Sequence, residues 1–273
     1  MKQRQWKGTR PLSFAAVGAA VAVTAMLAAS AAVVAPVAWA AGSGPDGKAP
    51  DPSAVLRAVV DNLRGGAMQA TYTFTVERPG RVSEYVMELV TDGDRRGHIR
   101  VIAPPRDAGQ AFLMSGDDLW LYNARLGRSL RLPPSGRSSA FLGSDLSYND
   151  LVGRDLEKDY DPSLTRADGD ALILELVPKP GAPTPYGRAL IEVDPETLAP
   201  RWVDYYDQRG QVVKRLTLSD YLPMGNRRIP LTMVVEDRVR EGYRTTARLS
   251  DVRFDIPVSE ACFTLEALER GCR

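Results

Sequence analysis

Thr71-Tyr72-Thr73-Phe74-Thr75-Val76 alternates a small polar residue with a large apolar one. Successive side chains of a strand point to opposite faces, so this two-residue period is the pattern of a half-buried β-strand. Downstream, strand-like runs recur at short spacing: Val82–Val90, His98–Ile102, Ala111–Met114, Leu119–Tyr122 and Ser129–Leu132. Later runs are Ala171–Val177, Ala189–Val193, Arg201–Tyr206, Val212–Leu218, Leu231–Val235 and Thr245–Phe254. Turn formers such as Asp92-Gly93-Asp94, Ser115-Gly116-Asp117 and Gln208-Arg209-Gly210 separate several of them. That rhythm predicts one long antiparallel meander rather than alternating strand–helix units. The expected fold is mainly β with α: a strongly curved antiparallel sheet whose concave face is covered by a few helices.

The expected helices are few. Asp51-Pro52 places an N-cap and a first-turn proline ahead of an apolar stripe of Leu56, Val59, Val60 and Leu63, and Arg64-Gly65-Gly66 ends it. Ser147-Tyr148-Asn149-Asp150 has the form of a capping box, and a last turn is expected around Val258–Cys262. Pro133–Asp145 and Pro178–Pro185 read as loops.

Residues 1–40 stand apart. Lys2, Arg4, Lys7 and Arg10 precede an apolar, Ala-rich stretch from Leu12 to Val37, which closes on Ala38-Trp39-Ala40. This is the layout of a secretory signal peptide, with an uncleaved N-terminal anchor as the rival reading. Residues 41–50 read as a linker and residues 51–273 as a single domain. Cleavage takes the formal charge from +1 to −3, which leaves a soluble chain with no basic field for nucleic acid. Export also permits a disulfide between Cys262 and Cys272, although two free thiols remain the alternative.

Catalytic patterns are sparse. His98 is the one histidine and opens a strand, so a histidine-based metal cluster is excluded. The chain contains no G-x-S-x-G and no nucleotide-binding glycine loop. Asp117, Asp118, Asp145, Asp150, Asp155, Asp159 and Asp161 form an acid-rich centre, but their spacing matches no calcium loop. They read as turn caps and solvated loop faces. The chain is therefore expected to be non-enzymatic, with no cofactor and no metal.

Two segments carry more apolar surface than their surroundings require. In Leu119-Trp120-Leu121-Tyr122, Trp120 and Tyr122 share one strand face and are either ordinary sheet core or part of a cavity wall. Phe141, Leu142, Leu146 and Tyr148 interrupt an otherwise polar loop and form either a lid over a cavity or a satellite core. With Tyr72, Phe74 and Phe112 on the strands, these are the candidate ligand-binding residues.

Several stretches, in order, carry a resemblance: Val101-Ile102-Ala103-Pro104-Pro105-Arg106-Asp107-Ala108-Gly109-Gln110-Ala111-Phe112-Leu113, then Leu119–Tyr122, then Ser139-Ala140-Phe141-Leu142-Gly143-Ser144-Asp145-Leu146-Ser147-Tyr148-Asn149-Asp150-Leu151. Arg228-Ile229-Pro230, Thr245 and Phe263-Thr264 complete the set. Over most of residues 51–273 the chain resembles LolA-like outer-membrane lipoprotein-sorting proteins, in their longer branch. The central segment departs from the form Phe-Met-Gly-Ser-Asp-Phe-Ser by Leu142 and Leu146. The family's cavity arginine has only Arg100 and Arg106 as candidates, by proximity.

The resemblance implies an unclosed half-barrel of the LolA/LolB type with an apolar cavity. It also implies a periplasmic carrier that takes a lipid or the acyl chains of a lipoprotein and hands it to a partner, toward the outer membrane. An inner-membrane transporter is the implied upstream partner. The alternatives are an envelope docking protein and a lipid-sensing accessory protein for such a transporter.

Overall fold

Asp51 opens the first helix through its carboxylate and its carbonyl. Its Oδ1 accepts from the Ser53 amide (3.3 Å) and its carbonyl from the Val55 amide (3.0 Å). Helix α1 (Pro52–Arg64) follows and buries Val55, Leu56, Val59 and Val60. The computed structural model describes residues 49–272 apart from 65, 94–95, 117, 134–135, 138, 152–155, 168–169 and 183. The expected signal peptide (1–40), most of the expected linker, and Asp117 and Asp155 lie outside the described residues.

Thirteen strands follow. Six come first: β1 (Met68–Arg78), β2 (Arg81–Thr91), β3 (Arg96–Ala103), β4 (Ala111–Ser115), β5 (Asp118–Asn123) and β6 (Arg128–Arg131). Seven come later: β7 (Tyr160–Ala167), β8 (Leu172–Pro178), β9 (Arg188–Val193), β10 (Pro200–Tyr206), β11 (Val212–Met224), β12 (Arg227–Asp237) and β13 (Arg244–Phe254). Between β6 and β7 lie a 3-10 turn (Phe141–Gly143) and two short helices, α2 (Tyr148–Leu151) and α3 (Leu156–Asp159). A 3-10 turn (Glu260–Phe263) and α4 (Leu265–Arg270) end the chain.

All strands join one antiparallel sheet in the order β6-β5-β4-β3-β2-β1-β13-β12-β11-β10-β9-β8-β7. It contains two meanders rather than one. The first runs outward from β1 to β6, the second runs inward from β7 to β13, and pairing of β1 with β13 joins them. The connection from β6 to β7 must therefore pass from one edge of the sheet to the other.

The expected strong curvature is corrected by this topology. The sheet is a large open one, neither closed nor strongly curled, and its edges β6 and β7 do not meet. The packing supplies the physical reason. Two apolar clusters lie along the sheet, each with its own cover, so no single core draws the strands into a deep half-barrel. Helix α1 covers Leu172, Leu174, Leu176, Ala189, Ile191, Val193 and Val203. The crossing segment, through Phe141 and Leu146, covers Phe74, Met87, Ile99, Phe112 and Leu119.

Strand β7 is absent from the expected strands, and Pro162 within it demotes the run as a strand pattern. It is an edge strand, where a missing N–H is tolerated. Ser147 and Asp150 do form a reciprocal cap. The Ser147 amide and hydroxyl donate to Asp150 Oδ2 (2.8 and 2.9 Å), and the Asp150 amide donates to Ser147 Oγ (3.3 Å).

Gly93 marks a close approach of two backbones. Its φ is +82°, and an added Cβ would overlap the Gly66 carbonyl carbon and lie 2.6 Å from the Ala67 nitrogen. Gly93→Ala is expected to lower stability by about 2–5 kcal/mol, from left-handed strain plus overpacking. A urea midpoint unchanged from wild type would refute this.

On the other face of the sheet, α4 buries Leu268 against Ala111 and Leu113. Thr264 caps it by accepting from the Ala267 amide (3.2 Å), and Cys262 and Cys272 are joined in a disulfide across it. His98 lies buried beneath, its Nε2 3.1 Å from the Ala267 carbonyl. Burial, reinforced by the charge of Arg100, pulls the imidazole down to about 4 from its ordinary value.

Because the folded value lies below the unfolded one, His98 contributes stability that is fully present above pH 6.5 and is lost as pH falls toward 4. The contribution is about 3 kcal/mol. The thermal midpoint of the wild type should therefore fall more between pH 7.5 and 4.5 than that of His98→Gln. Parallel pH profiles would remove His98 as the cause.

Candidate functional site

Helix α1 and the crossing segment touch at α3, through Arg57 and Glu157, and leave a gap above the middle of the sheet. Between them lies a cavity of about 330 Å³. Its floor is β11–β13, through Leu216, Leu218, Leu231, Met233, Val235 and Leu249. Tyr72, Leu89, Ile99 and Met114 of β1–β4 line the cavity from the same sheet, together with Val60 and Leu63 of α1, Leu156 of α3 and Leu146 of the crossing segment. The alternation of the strands accounts for this. Leu216 pairs with Val235 and Leu218 with Met233, so one register aims all four at the same face. Leu216 also packs against both apolar clusters, which makes it the point where they join.

Seven of the nine sequence candidates come together in the cluster beside this cavity: Tyr72, Phe74, Phe112, Phe141, Leu142, Leu146 and Tyr148. Tyr72 and Leu146 line the cavity itself. Behind them the rings interlock. Phe141 lies 4.8 Å from Phe112, 5.5 Å from Tyr148 and 5.7 Å from Phe74, centroid to centroid. Burial pushes the Tyr72 and Tyr148 hydroxyls above the ordinary tyrosine value, so both rings stay neutral across the physiological range.

Trp120 and Tyr122 stand elsewhere. They pack with Ala111, Leu113 and Phe263 on the face that α4 covers, because their partners Leu119 and Leu121 take the cavity-side register. Arg100 belongs to that outer face as well and donates to the Ala267 and Leu268 carbonyls (3.2 and 2.9 Å). Arg106 is exposed and pairs with its neighbour Asp107 (2.9 Å).

The segment expected to be either a lid or a satellite core is anchored. Asp145 is buried and accepts from Arg78 Nη1 (2.8 Å) and Thr245 Oγ1 (2.7 Å), while Arg78 Nη2 donates to the Gly143 carbonyl (2.6 Å). Leu142 is held at φ +49°, a left-handed conformation for a branched side chain.

The sequence reading passed over the cavity's charged pair. Lys214 Nζ lies 3.2 Å from Asp150 Oδ2, and both residues line the cavity. Burial pulls Lys214 down, but Asp150 and Tyr186 outweigh it and hold the ammonium above the ordinary lysine value. The signal was present in β11. Lys214 shares the two-residue period of Leu216 and Leu218, so it is a cation in an apolar register. Arg96 lines the cavity too, but it is tied to Asp92 (2.6 Å) and Glu260. Among the described residues, no group of three or more His, Cys, Asp or Glu could hold a metal ion.

The fold is shared with solved structures. The chain is similar to a domain assigned to outer membrane lipoprotein-sorting proteins from Vibrio parahaemolyticus: 25% identity over 80% of this chain and 98% of that one, TM-score 0.71. It is also similar to a DUF1329 family protein from Desulfovibrio piger, at 27% identity over 80% and 100% of the two chains, TM-score 0.71. A LolA superfamily protein from Nitrosomonas europaea shares the fold at 21% identity over 79% and 98%, TM-score 0.65. The chain is thus a distant homologue, at the superfamily level, of LolA/LolB-type lipoprotein-sorting proteins. Residues 93–270 match the family model described as "-like: Uncharacterized protein", and the chain belongs to that family. No curated protein matches the chain.

Proposed function

We propose that this protein is an exported, non-enzymatic carrier that holds a lipid, or the acyl chain of a lipoprotein, non-covalently in its central cavity. The cavity of about 330 Å³ with an aliphatic floor carries the reading. Its volume is at the lower end of the range for small-molecule sites. Each buried CH₂ contributes roughly 0.8 kcal/mol, so a partly enclosed chain already offsets the ordering it requires. The distant kinship with lipoprotein-sorting proteins and the signal-like leader support a periplasmic setting and transfer between envelope partners. The upstream partner is an inner-membrane transporter and the downstream direction is the outer membrane.

The test is native mass spectrometry with lipid extraction on protein purified from its own periplasm without detergent. A co-purifying lipid or acylated protein is expected. It should be absent from Met233→Trp, whose indole would fill the floor, in protein that retains a cooperative melt. A wild-type protein that carries nothing and refuses added lipids would refute the carrier reading.

A further inference from the structure

We infer that Lys214 is the head-group site of the cavity, and that the cargo is a single-chain amphiphile with an anionic head, a carboxylate or a phosphate, which exchanges with Asp150. The inference rests on the carrier reading above.

The position of the pair comes first. The β12 part of the floor runs from Ile229 to Val235, a rise of about 20 Å at the usual 3.3 Å per strand residue. Lys214 pairs with Asp237, just beyond the Val235 end. Lys214 thus stands at the Val235 end of the lining, while the Ile229 and Met68 end carries Arg96, whose guanidinium two carboxylates already neutralise. An amphiphile with one extended chain fits such a trough in one orientation, with its head at the ammonium.

The second point is the chemistry of the pair. Lys214 and Asp150 keep only 17% and 14% of their side chains exposed. A buried ammonium is tolerated only beside an anion. Rings add to that neighbourhood: Nζ lies 5.5 Å from the Tyr186 centroid and 5.9 Å from that of Tyr205.

The third point is that Asp150 has other donors. Its Oδ2 accepts from the Ser147 amide at 2.8 Å and the Ser147 hydroxyl at 2.9 Å, both shorter than the 3.2 Å contact to Lys214. An incoming anion can take the ammonium while Ser147 continues to satisfy Asp150. Arg96 offers no equivalent, because Asp92 and Glu260 both bind its guanidinium and Phe263 lies 4.7 Å beneath it. Exchange at Lys214 also loosens α2 from β11, which couples occupancy to the segment that walls the cavity.

The experiment is calorimetric titration of the exported chain with palmitate, 1-palmitoyl-lysophosphatidate and hexadecanol. The readout is the ratio of anionic to neutral affinity. Charge-assisted hydrogen bonds predict a preference for an anion of about tenfold or more. Lys214→Met should erase the preference and Lys214→Arg should keep it. Asp150→Asn, which retains an acceptor for Ser147, should increase the preference. Whichever anion binds more tightly identifies the head group. Equal binding of palmitate, lysophosphatidate and hexadecanol, or a preference that survives Lys214→Met, overturns the head-group site and leaves the carrier reading standing. If no amphiphile binds at all, the carrier reading fails and this inference fails with it.

Discussion

Phe141→Ala is expected to lower the unfolding free energy by about 3–5 kcal/mol. Phe141 is fully buried although it belongs to a connection between distant strands. Its ring packs edge-on against Phe74 and Phe112 of the sheet and Tyr148 of α2, so truncation removes partners from three rings at once. The sheet beneath is held by its own ladder and cannot collapse into the gap, which places the cost high in the range for large-to-small core changes. Chemical denaturation of the variant, read as a change in midpoint at constant slope, measures it. Phe141→Leu should recover more than half of the loss. A solvent-facing lid residue would cost less than about 0.5 kcal/mol. A result of that size would return Phe141 to the role of a mobile cover.

Arg78→Met should cost a similar amount, about 3–5 kcal/mol, for an electrostatic reason. Asp145 keeps 3% of its side chain exposed and takes its charged partner from Arg78 at 2.8 Å. Without the guanidinium, the carboxylate is left with the Thr245 hydroxyl and with Arg240 at 4.0 Å. The Gly143 carbonyl loses its donor as well, so the left-handed turn at Leu142 loses the contact that holds it down. The double variant Arg78→Met/Asp145→Asn is expected to be more stable than Arg78→Met alone, because it no longer buries an uncompensated charge. If the double variant is the less stable of the two, the cost of Arg78→Met is lost packing rather than an orphaned anion.

Many of the individual elements are legible along the chain, although their arrangement is not. The period of Thr71–Val76 reappears as β1, where Phe74 and Val76 are buried, and Asp51-Pro52 opens α1. Ser147 and Asp150 cap α2 in the expected form. These features depend on neighbours within a few residues, so local pattern suffices to find them. The misses share the opposite property. Strand β7 carries Pro162 and qualifies only because it lies at an edge, and α4 is a six-residue helix whose stability comes from Leu268 packed under a distant sheet. Trp120 and Tyr122 were read as a pair on one face, which they are. Which face adjoins the cavity is set by where α4 and the crossing segment pack, and no spacing in the chain encodes that.

The sequence by itself determined most of the strands, the first helix, the turn residues and a set of four apolar residues in an otherwise polar loop, because each follows from side-chain period or backbone chemistry over a short span. Only the tertiary structure decided that two meanders join at β1 and β13, that the sheet stays open instead of curling into a half-barrel, and that the β6–β7 connection crosses its face. From that crossing come the burial of Phe141, the anchoring of Asp145 by Arg78, and the pairing of Asp150 with Lys214 across 64 positions of chain. Pairings of this kind are fixed by which apolar faces must cover one another once the strands have assembled, and that is a property of the packed whole rather than of any segment.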